Sequence, residues 1–387
     1  MTGTFQLLLP SPVVVGGGVS QSLPDHARRL GLGRVLLVTD EYLLESGPVD
    51  GLVEALEATG IGTSVYSGTQ PDPTVANVGE AMEMLHEHRG EGVIVIGGGS
   101  PIDAGKAVAI MARNPGGIAG YAGYDQFGEP GLPLIAVPTT AGSGSEVTRA
   151  TVIADEDREV KLAIYDDKLI PTVALVDYTL TLSMPRDLTA HVGLDSLVHA
   201  IEAYVSRLAT PLSDMLALEA VRQISTNLRT AFREPSDEAA RAGMMLGATL
   251  AGAAFSNASL GLVHGMSRPI GAHFHIPHGL SNALVFPAVT RFSLDFARGR
   301  YASIARAMGV ARGDASDEVA SSELVEELER LNEELEIPSL RELEVGAEAF
   351  EAALAPMADA AIASRSPEFN PRQPSAEEIV GLYREAY

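Results

Sequence analysis

The chain has 387 residues, enough for two domains, and its 46% hydrophobic and 20% charged content excludes disordered, collagen-like and disulfide-scaffold classes. It contains no cysteine, so thiolate metal sites, iron–sulfur clusters and a cysteine nucleophile are excluded, and any metal must be held by His, Asp or Glu. With 51 acidic against 27 basic residues the net charge is −24, a surface that repels phosphate backbones and anionic headgroups, so neither nucleic acid nor membrane is an expected partner. Only three lysines are kept, Lys106, Lys161 and Lys168, and each merits inspection.

The opening stretch MTGTFQLLLPSPVVVGGG has no basic segment and an early proline. It does not read as a secretory leader, and a cytoplasmic location is expected. The first apolar, β-branched run is Arg34–Thr39, followed by an amphipathic stretch at Asp50–Thr59. Further apolar runs fall at Gly92–Ile96, Leu134–Pro138 and Val173–Asp177. Short continuous apolar runs alternating with amphipathic segments predict parallel strands buried on both faces. Residues 1–185 are therefore read as an α/β Rossmann-like nucleotide-binding domain.

After Pro185 helical periodicity takes over, at Leu188–Ser206, Ser213–Arg233 and Ser322–Glu336. Residues 186–387 are read as an all-α domain. Leu324, Leu328, Leu331 and Leu335 recur at helical spacing beneath an acidic, solvated face. The uncharged run Ala242–Ser267 has the length of a membrane span, but its Gly, Ala, Ser, Thr and Asn content predicts one tightly packed core helix.

Four local patterns carry chemistry. In VIVIGGGSPIDAGKAVAI a strand ends in three glycines, with Ser100 expected as N-cap, Pro101 as first helical residue and Asp103 closing the cap. Such a loop lets a phosphate approach the backbone and a helix N-terminus, although a plain strand–turn–helix connection has the same look. Asp40 directly follows the first strand, where a carboxylate binds an adenosine ribose and repels a 2′-phosphate, favouring NAD over NADP. A helix-capping aspartate is the competing reading. PTTAGSGSEVT sets hydroxyl side chains and glycines at another strand exit, with Lys161 as a nearby positive charge. Asp195 and His199, four apart, share a helix face, and His264 and His278 follow in a glycine- and proline-rich stretch. One Asp and three His suit Fe2+ or Zn2+.

Taken in order, GGGSPIDAGKA, PTTAGSGSEVT, GLDSLVHAIEAYVS, AFSNASLGLVHGMSRPIGAHFHIPHG and the late NPR resemble the iron-dependent (group III) alcohol dehydrogenases. The resemblance spans essentially the whole chain. It implies a metal-dependent, NAD-linked oxidation of a small alcohol, or reduction of the matching carbonyl, in a homodimer or larger assembly. The implied metal ligands are Asp195, His199, His264 and His278, and the implied cofactor contacts are Asp40, Gly98, Gly99, Ser100, Thr139, Thr140, Ser143 and Lys161. Ser143 stands where threonine is frequent. Arg268 stands where many members carry a histidine near the nicotinamide, which leaves His273 and His275 as candidates for that role and Arg268 as a candidate anchor for a substrate carboxylate. His191, one turn before Asp195, is read as supporting rather than ligating. The HGMSRPIGAHFH variant is similar to a subgroup acting on hydroxyacids such as 4-hydroxybutyrate. A hydroxyacid–oxoacid transhydrogenase, a lyase or synthase of the dehydroquinate synthase kind, and an inactive metal- or nucleotide-binding homologue are the alternatives.

Overall fold

A computed structural model describes residues 4–158 and 160–387. The chain divides into two units. Leu8–Ser183 forms one, and Met184–Tyr387 forms the other, to which the described residues Thr4–Leu7 also belong.

The described residues of the first unit hold nine strands, β1 (Val13–Val15), β2 (Arg34–Val38), β3 (Gly62–Tyr66), β4 (Gly92–Gly97), β5 (Gly123–Tyr124), β6 (Leu134–Pro138), β7 (Ala150–Asp155), β8 (Val160–Tyr165) and β9 (Val173–Val176). Its helices are α1 (Leu23–Arg29), α2 (Glu41–Glu45), α3 (Pro48–Ala58), α4 (Val75–His88) and α5 (Gly99–Met111). Six strands form an all-parallel sheet in the order β1-β9-β6-β4-β2-β3. A hairpin of β7 and β8 with β5 alongside makes a second, smaller sheet.

The period of two along a strand explains the double burial. Leu36, Val38, Val93, Val95 and Ala136 face the core that includes residues of α4 and α5, such as Ala81, Leu85, Ala104 and Val108. Their neighbours Val35, Leu37, Ile94, Ile96, Ile135 and Val137 face the opposite core with Leu23 and Ala27 of α1 and Val49, Leu52 and Leu56 of α3. Each face is sealed by helices, so the strands read as unbroken apolar runs.

The second unit is helical: α6 (Arg186–Val205), α7 (Pro211–Arg233), α8 (Glu238–Ala258), α9 (Leu262–Phe274), α10 (His278–Ser293), α11 (Arg298–Ala307), α12 (Asp317–Glu334), α13 (Ala347–Ala363) and α14 (Ala376–Ala386). Thr210 and Ser213 form a reciprocal cap at the start of α7, with Pro211 at its first position. Leu324, Leu328, Leu331 and Leu335 are buried, as their spacing predicted. Arg241 is buried and donates to Thr189 Oγ1 at 2.8 Å and to the Met184 carbonyl at 3.2 Å, tying α8 to the start of α6.

Two expectations need correction. The single helix expected over Ala242–Ser267 is two, α8 and α9, bent by 105°. Ser259 adopts a left-handed φ of 72°, which ends α8, and Gly261 caps α9, so His264 opens the second helix rather than ending the first. Among the described residues no single helix is long and apolar enough to cross a membrane; only this bent pair passes, on length and composition. In the glycine loop, Gly98 is the N-cap and Gly99 the first helical residue. Ser100 and Pro101 therefore sit one position deeper than expected, where proline's missing N–H is still harmless. Asp103 does not cap. Its buried carboxylate accepts from Ser145 Oγ at 2.7 Å and from the Val152 N–H at 2.9 Å.

Candidate nucleotide loop and metal centre

In the first unit, the expected cofactor residues gather at the carboxyl edge of the parallel sheet. Gly98 and Gly99 pass so close to the β6–β7 connection that a Cβ on Gly98 would lie 3.2 Å from Thr140 Cγ2, and one on Gly99 3.0 Å from Ser143 Cβ. Larger residues would push the two loops apart. Thr139 is buried and donates its N–H to the Gly97 carbonyl at 3.0 Å. Ser100 Oγ accepts from the Asp72 N–H at 3.3 Å, and the Asp72 carboxylate pairs with Lys161 at 2.7 Å. Asp72 was not singled out in the sequence, yet it joins Lys161 to the glycine loop. Asp40 lies past β2 and caps α2, its Oδ1 accepting from the Leu43 N–H at 2.8 Å. Capping uses one carboxylate oxygen, so it is compatible with a ribose contact through the other.

Lys106, one of the three lysines noted in the sequence, has partners that the sequence did not reveal. Its ammonium is 1% exposed and donates to Ser145 Oγ, Thr148 Oγ1 and the carbonyls of Thr148 and Ala150, all within 3.0 Å. Burial depresses its pKa to about 8, with the Asp103 and Glu146 carboxylates opposing that fall. This lysine locks α5, which begins with the glycine loop, to the hydroxyl-rich segment.

In the second unit, α6 presents Asp195 and His199 on one face, α9 supplies His264 from its first turn and α10 begins with His278. Asp195 Oδ1 lies 3.6 Å from His199 Nε2, 3.6 Å from His264 Nε2 and 3.8 Å from His278 Nε2. Tetrahedral bonds of about 2.1 Å set ligand atoms roughly 3.4 Å apart, and Asp195, His199 and His264 come near this spacing, their ligand atoms all lying within 4.8 Å of one another; His278 is not in that group and approaches it through Asp195 Oδ1. Asp195, His199 and His264 are all buried; the His278 ring is 43% exposed along one side while Nε2 faces Asp195. Burial alone would raise Asp195, but the His199, His264 and His278 rings hold it well below the ordinary carboxylate range. Burial also opposes a charged His264, yet the Glu202 and Asp195 carboxylates carry its pKa above the ordinary value. Withdrawal of the His278 ring nitrogen from water lowers its pKa, with Asp195 opposing the fall and the charges of His264, Arg268 and His199 adding to it.

Residues missed by the sequence reading surround this cluster. Glu202, two turns beyond Asp195 on α6, meets His264 Nδ1 at 2.7 Å. Asn282, one turn after His278, donates Nδ2 to Asp195 Oδ1 at 2.6 Å and is fully buried. Gly279 packs where a Cβ would meet the His191 carbonyl, so only glycine lets α10 approach α6. Asn370 of the NPR motif donates to Ser293 Oγ at 2.9 Å and to the Arg372 carbonyl at 2.7 Å, which makes that motif a structural clasp. The signal for Glu202 was its helical spacing from Asp195, and that for Asn282 its spacing from His278; Gly279 and Asn370 lay in the quoted motifs without a role assigned.

Arg268 is partly buried one turn past His264 on α9, donates to Ser366 Oγ at 3.3 Å, and pairs with no carboxylate among the described residues. His273 and His275 are exposed at the end of α9, outside the group of converging ligand atoms. His191 is half-buried, and its carbonyl lies against Gly279 at the start of α10.

A parallel nucleotide-type sheet with a glycine loop, and a helical unit with a site for a divalent ion, together mark a metal-dependent dehydrogenase. Residues 10–178 match the family described as iron-containing alcohol dehydrogenase, and residues 189–387 match the C-terminal part of the Fe-containing alcohol dehydrogenase family. The chain is 37% identical to lactaldehyde reductase of Escherichia coli (strain K12) over 385 residues, 99% of both chains. It superposes on a crystal structure of 1,3-propanediol oxidoreductase with a TM-score of 0.96 at 35% identity, covering 100% of each. It superposes on sulfoacetaldehyde reductase from Bifidobacterium kashiwanohense in complex with NAD+ with a TM-score of 0.89 at 28% identity, covering 99% of each. The chain belongs to the iron-containing alcohol dehydrogenase family and is an oxidoreductase acting on CH–OH groups.

Proposed function

We propose that the protein oxidises a short primary or secondary alcohol with NAD, or reduces the matching carbonyl, and that a short hydroxyacid or aldehyde-acid is its preferred substrate. The convergence of Asp195, His199 and His264, with His278 Nε2 3.8 Å from the Asp195 carboxylate, carries the reading. These four side chains would hold Fe2+, with Zn2+ as the alternative ion. When bound, the metal supplies Lewis acidity that stabilises alkoxide character on the substrate oxygen. Bound NAD would supply the hydride acceptor that oxidation of the carbinol carbon needs, and the hydroxyl proton would go to solvent.

The chain's own residues do the rest. Gly98, Gly99 and Ser100 open α5, whose first-turn N–H groups would hold the nucleotide phosphates, with Thr139, Thr140 and Ser143 beside them. Lys161, steered by Asp72, supplies positive charge at this rim. Asp40 would accept from the adenosine ribose and disfavour a 2′-phosphate. Arg268 lacks a carboxylate partner in a chain of net charge −24, and its planar fork fits a substrate carboxylate.

The test is NAD reduction against a panel of alcohols and hydroxyacids. Chelation should abolish it and Fe2+ or Zn2+ restore it. Arg268→Ala should raise KM for a hydroxyacid by an amount worth about 2–5 kcal/mol while sparing a neutral alcohol of similar length. Full activity in metal-free protein would sink the metal reading, and equal losses on charged and neutral substrates would sink the carboxylate anchor.

A further inference from the structure

Glu202 sits among the most buried acidic side chains of the helical unit, 3% exposed, and no Lys or Arg pairs with it among the described residues. Its two oxygens have different tasks. Oε1 accepts from the Val263 N–H at 2.7 Å, one of the free donors in the first turn of α9. Oε2 lies 2.7 Å from Nδ1 of His264, the next residue along. Gly261 leaves the space for this: a Cβ there would lie 3.0 Å from Oε1 and 3.2 Å from Asn370 Oδ1. One carboxylate thus binds the start of α9 and the far side of its histidine at once.

We propose that Glu202 is a positioning residue for the metal ion, fixing His264 with Nε2 turned to the cluster and supplying the second buried negative charge that a dication requires. The proposal rests on the metal reading above. A carboxylate only accepts hydrogen bonds, so it admits the His264 tautomer with hydrogen on Nδ1 and a lone pair on Nε2. A buried carboxylate needs a compensating cation. Asp195 and Glu202 together carry two negative charges, the three imidazoles carry none when neutral, and a divalent ion brings the group to zero. Helix α6 therefore carries two ligands and the counter-charge on successive turns, at Asp195, His199 and Glu202.

Glutamine is nearly isosteric but cannot replace this arrangement. If its carbonyl serves Val263, its NH2 faces His264 Nδ1 and selects the tautomer whose Nε2–H points at the ligand point. If its carbonyl serves His264, its NH2 opposes the Val263 N–H. Either way one negative charge is gone.

The experiment is a Co2+ titration of metal-stripped wild type, Glu202→Gln and Glu202→Asp, followed by visible absorption and by competition with a chelator. Far-UV circular dichroism and melting of the metal-free proteins are measured in parallel. Glu202→Gln should bind Co2+ on the order of 10–100-fold more weakly, with an altered ligand-field spectrum. Glu202→Asp keeps the charge but is too short to serve both donors, so it should fall between the two. A folded Glu202→Gln with affinity within about twofold of wild type and an unchanged spectrum would show that Glu202 only caps α9, overturning the proposal. If Glu202→Gln does not fold, unchanged affinity and spectrum in Glu202→Asp overturn it equally. Wild type that takes up no Co2+ overturns the metal reading itself, a separate result from wild-type uptake with unaffected variants.

Discussion

Replacing Gly279 with alanine tests how closely the metal centre depends on the approach of α10 to α6. A Cβ at this position would lie 2.8 Å from the His191 carbonyl carbon, nearer still to its oxygen, and 3.4 Å from Asp195 Cβ. The obstacle is helix backbone, which cannot swing aside. Restoring ordinary 3.4 Å contact with that carbon requires the start of α10 to retreat by at least about 0.6 Å. His278 is the adjacent residue and moves with it, whereas metal–ligand distances tolerate only about 0.2 Å. Losing a well-placed fourth ligand should weaken metal binding on the order of 10–100-fold, about 1.4–2.8 kcal/mol. Overpacking should lower the stability of the metal-free protein by about 1–3 kcal/mol. The assay is Zn2+ or Co2+ competition titration with metal analysis of the purified variant, alongside thermal melting and turnover with NAD. A Gly279→Ala protein that keeps wild-type metal affinity and melting temperature would refute the packing argument.

Three further outcomes are expected. Asp40→Ala should reduce the preference for NAD over NADP, checked by kcat/KM with each, and cost about 1 kcal/mol through loss of the α2 cap in a denaturant melt. Lys106→Met should destabilise the first unit by about 3–5 kcal/mol, since Asp103, Glu146 and two carbonyls lose their buried cation; KM for the nucleotide should rise as the hydroxyl-rich segment loosens, and an unchanged melt would refute the role given to Lys106. With a net charge of −24, the melting temperature should rise from low to moderate ionic strength as self-repulsion is screened, and a maximum in salt-free buffer would contradict this.

The sequence by itself determined the parallel sheet, because β-branched runs such as GVIVI can be buried on both faces only there. It also determined the helical character of the second half, through the leucine spacing of α12, and restricted possible metal donors to His, Asp and Glu, because a cysteine-free chain leaves few residue types able to bind an ion. Asp195 and His199 were legible as a pair because four residues make one helical turn. Tertiary structure alone decided what surrounds them. Glu202 and His264 are 62 residues apart, and Asp195 and Asn282 are 87 apart. Local periodicity holds no record of such pairings. The break between α8 and α9 was equally hidden, since Ser259 and Gly261 sit in a uniformly apolar, small-residue run. In the first unit, Asp103 and Lys106 matched the pattern of an ordinary capped helix. Packing against Ser145, Thr148 and Val152 drew them inward, because buried donors and acceptors on the neighbouring loop had to be satisfied and only side chains from α5 were within reach.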